Sequence, residues 1–175
     1  MTEPSATILA AVSGAGVPAP RSRVLKCALY GGLIAGTVDI FAASLLSVAN
    51  PLVILMAIAT GILGRAAFQG GVGAMVLGLV LQWVMSIIIA AIYSVAAAGI
   101  PSLARRWVPW GALYGAVVFV VMNFVVVPLS ASPFKPHFTV AWIGENLLAM
   151  MVFGWIVAFT ANRFLTSNHP RAGVA

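Results

Sequence analysis

Residues 26–50, KCALYGGLIAGTVDIFAASLLSVAN, form an apolar stretch with a single carboxylate, Asp39, near its middle. Crossing a bilayer takes about 20 consecutive apolar residues, so this segment alone places the chain in a membrane. Within it Gly32, Gly36, Asp39, Ala43 and Ser47 recur at spacings of four, three, four and four. That spacing puts them on one face of a helix, small and polar, while Leu, Ile, Val and Phe cover the other faces. Gly32 and Gly36 make a GxxxG pair, which lets a neighbouring backbone approach closely where lipid offers no hydrophobic drive between helices. We read the pair first as packing within the chain and second as a dimer contact.

The rest of the composition agrees with this segment. The 175 residues are 62% apolar and 7% charged, with a mean hydropathy of +1.10. Soluble domains carry roughly 25% charged residues, so a soluble fold is excluded. The length suffices for four or five spanning helices and leaves no room for a separate soluble domain. The net charge of +6 would suggest nucleic acid in a soluble protein. Here the basic residues sit at segment ends, where they set orientation and meet anionic headgroups. Cys27 is the sole cysteine, so an internal disulfide is excluded. It reads as a small packing residue ahead of an acylation site.

Taken outward from this segment, residues 1–24 contain Pro4, Pro18 and Pro20 without sustained periodicity and read as a disordered cytoplasmic tail. The weakly apolar run 6–17 follows Glu3 instead of a basic residue, the wrong order for an export signal. Arg21, Arg23 and Lys26 form a basic collar before the first span, expected at 26–50. Asn50-Pro51 ends that helix, because the residue before proline avoids the helical region. The apolar run that follows is only about 14 residues before Arg65, short for a crossing. We therefore expect 51–68 to be an interfacial or re-entrant helix, with a short full span as the alternative. Further spans are expected at 70–100, at 108–130 with a second GxxxG pair, Gly111 and Gly115, and at 140–164. The tail 166–175 reads as disordered and cytoplasmic. The fold expected for residues 25–165 is thus an all-α membrane protein, a four-helix transmembrane bundle with one extra short helix.

Charge on alternating loops tests that count. With four spans, Arg21, Arg23, Lys26, Arg105, Arg106, Arg163 and Arg171 share one side, and Arg65 and Lys135 the other, seven against two. If 51–65 crossed fully the split would be five against four, which carries no orientation. Four spans with both termini cytoplasmic follow.

Depth along these spans lets Asp39, Asn123, Glu145 and Asn146 converge towards the outer half as an intramembrane polar cluster, with Arg65 and Lys135 as candidate outer-face cations. Ionisable groups at membrane depth are costly and face the bundle interior, which makes Asp39 and Glu145 candidates for proton carriage. The competing reading is structural: Asp39 hydrogen-bonds Thr37, Ser44, Asn123 or Gln82 and fixes helix register. Neither His137 nor His169 lies inside a span, so a bis-His haem has no ligands. One Cys, two His and three acids scattered along the chain make no metal cluster, the serines lack a His at a common depth, and the glycines follow helix spacing instead of a nucleotide loop. No metal, cofactor or catalytic residue is expected.

The run PLSASPFKPHFTVAWIGEN, residues 128–146, leads into a span with Phe153, Trp155 and a terminal Arg163. It resembles the YagU-like family of bacterial inner-membrane proteins in its Pro-Leu, paired prolines, Trp and Glu-Asn, and the opening GLIAG of the first span is similar too. Residues 50–70 depart from that pattern. The resemblance implies a bacterial inner-membrane location and four helices, and it carries no activity. The leading expectation is a non-enzymatic membrane component that acts by packing, either in a homo-oligomer through Gly32/Gly36 and Gly111/Gly115 or as an accessory to a larger membrane complex. The second is a small transporter or proton-linked channel using the intramembrane carboxylates. An enzyme acting on lipid or isoprenoid ranks last, because no base and nucleophile pair exists.

Overall fold

A computed structural model describes residues 20–133 and 139–166, and these are helical almost throughout. Lys135, His137 and the tails 1–19 and 167–175 lie outside the described residues. The elements are α1 (Arg21–Leu46), α2 (Pro51–Leu63) with a 3-10 turn (Gly64–Gln69), α3 (Gly71–Gly99), the short α4 (Pro101–Arg105), α5 (Trp107–Val121), a π-helical turn (Met122–Val126), α6 (Val127–Leu129) and α7 (Val140–Thr166). Five stretches are long and apolar enough to cross a membrane: Arg21–Leu46, Pro51–Gln69, Gly71–Gly99, Trp107–Leu129 and Val140–Thr166.

The helix limits follow local chemistry. Helix α1 starts at Arg21, so the basic collar and residues 21–24, expected in the tail, are its first turns. Pro20 stands just before the first turn, where its missing N–H is harmless, and nothing from Arg21 to Leu46 breaks a helix. At its other end α1 stops at Leu46, before the Asn50-Pro51 signal, because Val48 turns left-handed with φ of 50° and Ser44 Oγ donates to the Ala49 carbonyl at 2.5 Å. A β-branched residue rarely adopts that conformation. Asn50 then caps α2, its side chain accepting from Leu52 N at 2.9 Å, with Pro51 in the first turn. Gly64 and Gly71, with φ of 58° and 52°, bracket the 3-10 turn where the chain reverses. The π-helical turn precedes Pro128, whose ring would collide with the carbonyl four residues back in a regular α-helix; the wider turn relieves this.

Contacts fix the direction of each helix. Between α1 and α3, Cys27 meets Ser94, Gly32 meets Ile87, Gly36 meets Ser86 and Asp39 meets Gln82, so the two run antiparallel. Tyr30 stacks on Phe164 at 5.8 Å and Gly31 lies on Thr160, which makes α7 antiparallel to α1. Trp107 meets Phe159, Gly111 meets Gly154, Gly115 meets Met150 and Phe119 meets Trp142, which makes α5 antiparallel to α7. Helix α2 packs on α3 with Leu55 against Gly78, while Ala59, Ala67 and Ala74 close together at the far end. It therefore runs in the same direction as α1, beside its last turns. The end of α2 is tied to the segment after α6 by Ala131 N donating to the Gly61 carbonyl at 2.9 Å and Thr60 Oγ1 donating to Ser132 Oγ at 3.1 Å.

Helices α1, α3 and α7 form the centre, with α2 on the outer side of α3 and α5 on the outer side of α7. The main core is small: Cys27, Ala35, Ala90, Ala97, Ala104, Ala158 and Ala161 with Tyr93, Phe153 and Val157. The large apolar side chains point outwards along the whole length, among them Ile34, Phe41, Val80, Ile88, Ile92, Val117, Phe124 and Leu148. In water this arrangement would expose far more apolar surface than a soluble monomer carries; in lipid it is the expected one.

Glycine sets how close the helices come. A methyl group on Gly32 would lie 2.5 Å from Ile87 Cα, and one on Gly36 the same distance from Ser86 Oγ. On Gly78 it would fall on the Leu55 carbonyl, on Gly115 on the Met150 carbonyl and on Gly154 on the Gly111 carbonyl. Both GxxxG pairs are therefore covered by helices of the same chain. We expect Gly115→Ala and Gly154→Ala to destabilise the bundle by about 1–3 kcal/mol each through overpacking. Gly73→Ala, which meets nothing within 4 Å, should be neutral or stabilising, with thermal unfolding in detergent as the readout.

Candidate functional site

The only carboxylate inside α1, Asp39, lies on the same face as Gly32 and Gly36, towards α3. Because those glycines bring the two backbones together, the side chain of Gln82 reaches across. Its Nε2 donates to Asp39 Oδ2 at 2.9 Å and lies 3.5 Å from the Gly36 carbonyl. Next to Gln82 on α3, Trp83 Nε1 donates to Thr37 Oγ1 at 3.2 Å, while Thr37 Oγ1 donates to the Leu33 carbonyl at 2.7 Å. Asp39, Gln82, Thr37 and Trp83 thus make a polar belt across the α1–α3 contact, in the second half of α1 and the first half of α3.

A second polar layer lies nearer the end that carries Arg21 and Arg105. Ser94 Oγ is 3.1 Å from Cys27 Sγ and donates to the Ala90 carbonyl at 2.7 Å, with both side chains at 0% exposure. Thr160 Oγ1 bonds the Val157 carbonyl at 2.7 Å beneath Gly31. Tyr93 and Tyr114 pack with ring centroids 4.9 Å apart, their hydroxyls donating to the Leu103 and Ile89 carbonyls at 3.1 and 2.6 Å. Asn162 Nδ2 donates to the Ala104 carbonyl at 2.8 Å and ties α7 to α4.

The other residues of the expected cluster are placed differently. Asn123 sits in the π-helical turn and its amide donates to the Phe119 carbonyl at 2.9 Å. Asn146 does the same to the Trp142 carbonyl at 3.0 Å. Glu145 is exposed on α7, and Arg65 is exposed in the 3-10 turn. No hydrogen bond joins Asp39, Asn123, Glu145 and Asn146 to one another: Asp39 is taken by Gln82, Asn123 and Asn146 bond carbonyls one turn back on their own helices, and Glu145 is exposed. Gln82 appears in the sequence among four partners open to Asp39; the register of α1 on α3 selects it. The Thr37–Trp83 and Cys27–Ser94 pairs carry no signal in the sequence beyond their depth, since 46 and 67 residues separate the partners.

Chemically the belt offers one carboxyl group, one amide, one hydroxyl and one indole N–H. No three His, Cys, Asp or Glu side chains come together as metal ligands among the described residues. Fold and belt together define a multi-pass, all-helical membrane protein whose interior polar groups lie at helix contacts. Compared with protein families, curated proteins and solved structures, the chain matches none.

A double-mutant cycle tests the central pair. Gln82→Leu should cost about 1–3 kcal/mol, the penalty for leaving a buried polar group without its partner. Asp39→Leu combined with Gln82→Leu should recover part of that loss, giving a coupling above about 0.5 kcal/mol. Additive effects would show that the bond contributes nothing to stability.

Proposed function

We propose that this is a four-span protein of the bacterial inner membrane, with cytoplasmic termini, that acts without catalysis as a packing component of a homo-oligomer or a larger membrane assembly. One observation carries the reading: among the described residues every buried side-chain nitrogen or oxygen has a hydrogen-bond partner inside the chain. The interior polar groups hold helices to one another. The glycine pairs are covered internally, so an assembly contact uses the outward apolar faces instead. The resemblance of residues 128–163 to the YagU-like family supports the bacterial inner-membrane location.

The antiparallel run of α1 and α3 supports four crossings. If Pro51–Gln69 crossed between them, α1 and α3 would be first and third crossings and would run parallel. With Pro51–Gln69 confined to one side of the bilayer, Arg21, Arg23, Lys26, Arg105, Arg106 and Arg163 gather at one end, the cytoplasmic end by the positive-inside rule. In a Cys27→Ala background, Val48→Cys and Gln69→Cys should both react with an impermeant maleimide added outside intact cells, and Ser102→Cys should not. Labelling of only one of the first two would establish five crossings.

Asp39 favours a second reading, a small transporter or proton-linked channel, because a carboxyl group near the middle of a span is the group such proteins use. Proton and small-ion flux into proteoliposomes separates the two. Packing predicts no flux above empty vesicles for the natural chain or for Asp39→Asn, together with co-purification of a second copy or a membrane partner. Flux that Asp39→Asn abolishes establishes transport instead.

A further inference from the structure

A groove of about 600 Å³ runs along the outer face of α7, lined by Ile34 of α1, Trp107 and Val108 of α5, and Trp155, Ile156, Phe159 and Thr160 of α7. It exists because α1 and α5 both pack extensively on α7 but not on each other. Its size falls within the roughly 300–1,000 Å³ of small-molecule sites. Its lining offers no polar surface. The Thr160 hydroxyl is turned onto the Val157 and Ile156 carbonyls at 2.7 and 3.1 Å, and the Trp155 indole N–H onto the Val108 carbonyl at 2.9 Å. A polar substrate would find no partner there, whereas a hydrocarbon chain would.

One end of the groove is basic. Trp107 lies edge-on to Phe159 with centroids 5.4 Å apart, and the Arg163 guanidinium sits over the Phe159 ring at 5.8 Å. Arg106, exposed, immediately precedes Trp107 at the start of α5, and Arg105 precedes it in turn. From Trp155 to Arg163 is eight residues, about 12 Å of helix, so the apolar lining leads from the interior of the span up to these cations. An apolar slot that ends in cations and aromatic rings matches a molecule with an acyl chain at one end and a negative headgroup at the other.

We propose that this groove is a binding site for an anionic phospholipid, its acyl chain along Ile34, Trp155, Ile156 and Phe159 and its phosphate between Arg106 and Arg163. The charge complementarity at the mouth distinguishes it from general solvation by bilayer lipid, and it requires no choice between the packing and transport readings.

The test is native mass spectrometry of the detergent-purified protein titrated with dioleoyl phosphatidylglycerol or dioleoyl phosphatidylcholine. The expected result is retention of phosphatidylglycerol about tenfold or more over phosphatidylcholine, the scale of two basic side chains near a membrane surface. Arg106→Gln with Arg163→Gln should remove the preference while leaving phosphatidylcholine binding unchanged. Ile34→Trp, which fills the slot from an exposed position, should weaken retention of both lipids. Raising salt on the natural chain should also remove the preference and needs no variant to fold. Equal retention of the two lipids by the natural chain, or a preference untouched by both salt and the arginine substitutions, overturns the proposal.

Discussion

Backbone-to-backbone approach at glycine is the constraint on which the bundle depends. In lipid the apolar side chains gain nothing by leaving one helix for another, so association rests on van der Waals contact and hydrogen bonds across helices. Gly32 and Gly36 on α1, Gly78 on α3, Gly111 and Gly115 on α5 and Gly154 on α7 each stand where a methyl group would strike a neighbouring helix. Remove that proximity and the hydrogen bonds at the same contacts lose their reach. Gln82 meets Asp39 because Gly36 lies one turn away on the same face.

The interior is accordingly built largely from Ala, Gly, Ser, Thr and Cys, with a few large residues such as Tyr93, Phe119, Phe153 and Val157, and most bulky residues face outwards. This inverts the pattern of a water-soluble core, in which large apolar residues are buried. The polar side chains follow a division that depth explains. Those at contacts between helices, such as Gln82, Trp83, Ser94, Tyr114 and Asn162, have partners on or beside another helix; Asn123 and Asn146 have theirs one turn back on their own. Without water to satisfy them, any other disposition carries a penalty of several kcal/mol in hydrocarbon.

The short second helix shows how composition and direction answer different questions. Pro51–Gln69 passes a test of length and apolarity for a crossing, as the other four do. Its direction comes from Leu55 packing on Gly78, and that of α3 from the Asp39 and Cys27 pairings. The left-handed Val48 and the glycines at 64 and 71 provide the reversals at its two ends. The same arrangement places Arg65 at the end opposite Arg105 and Arg106.

The membrane class, the all-helical fold, the approximate spans and the glycine faces were legible in the sequence, because each is a property of one helix: its apolar length, its period, its breaking prolines. The start of α1 at Arg21 was less so, since a basic collar and the first turn of a helix have the same composition. The joining of Asp39 to Gln82, and the separation of both from Asn123, Glu145 and Asn146, belonged to the tertiary structure alone. Depth estimates place side chains at a level but leave open which helix stands beside which, and that order is decided by the fit of complementary small-residue faces. The groove between α1 and α5 has the same origin, a gap left where two helices share a neighbour without packing extensively on each other.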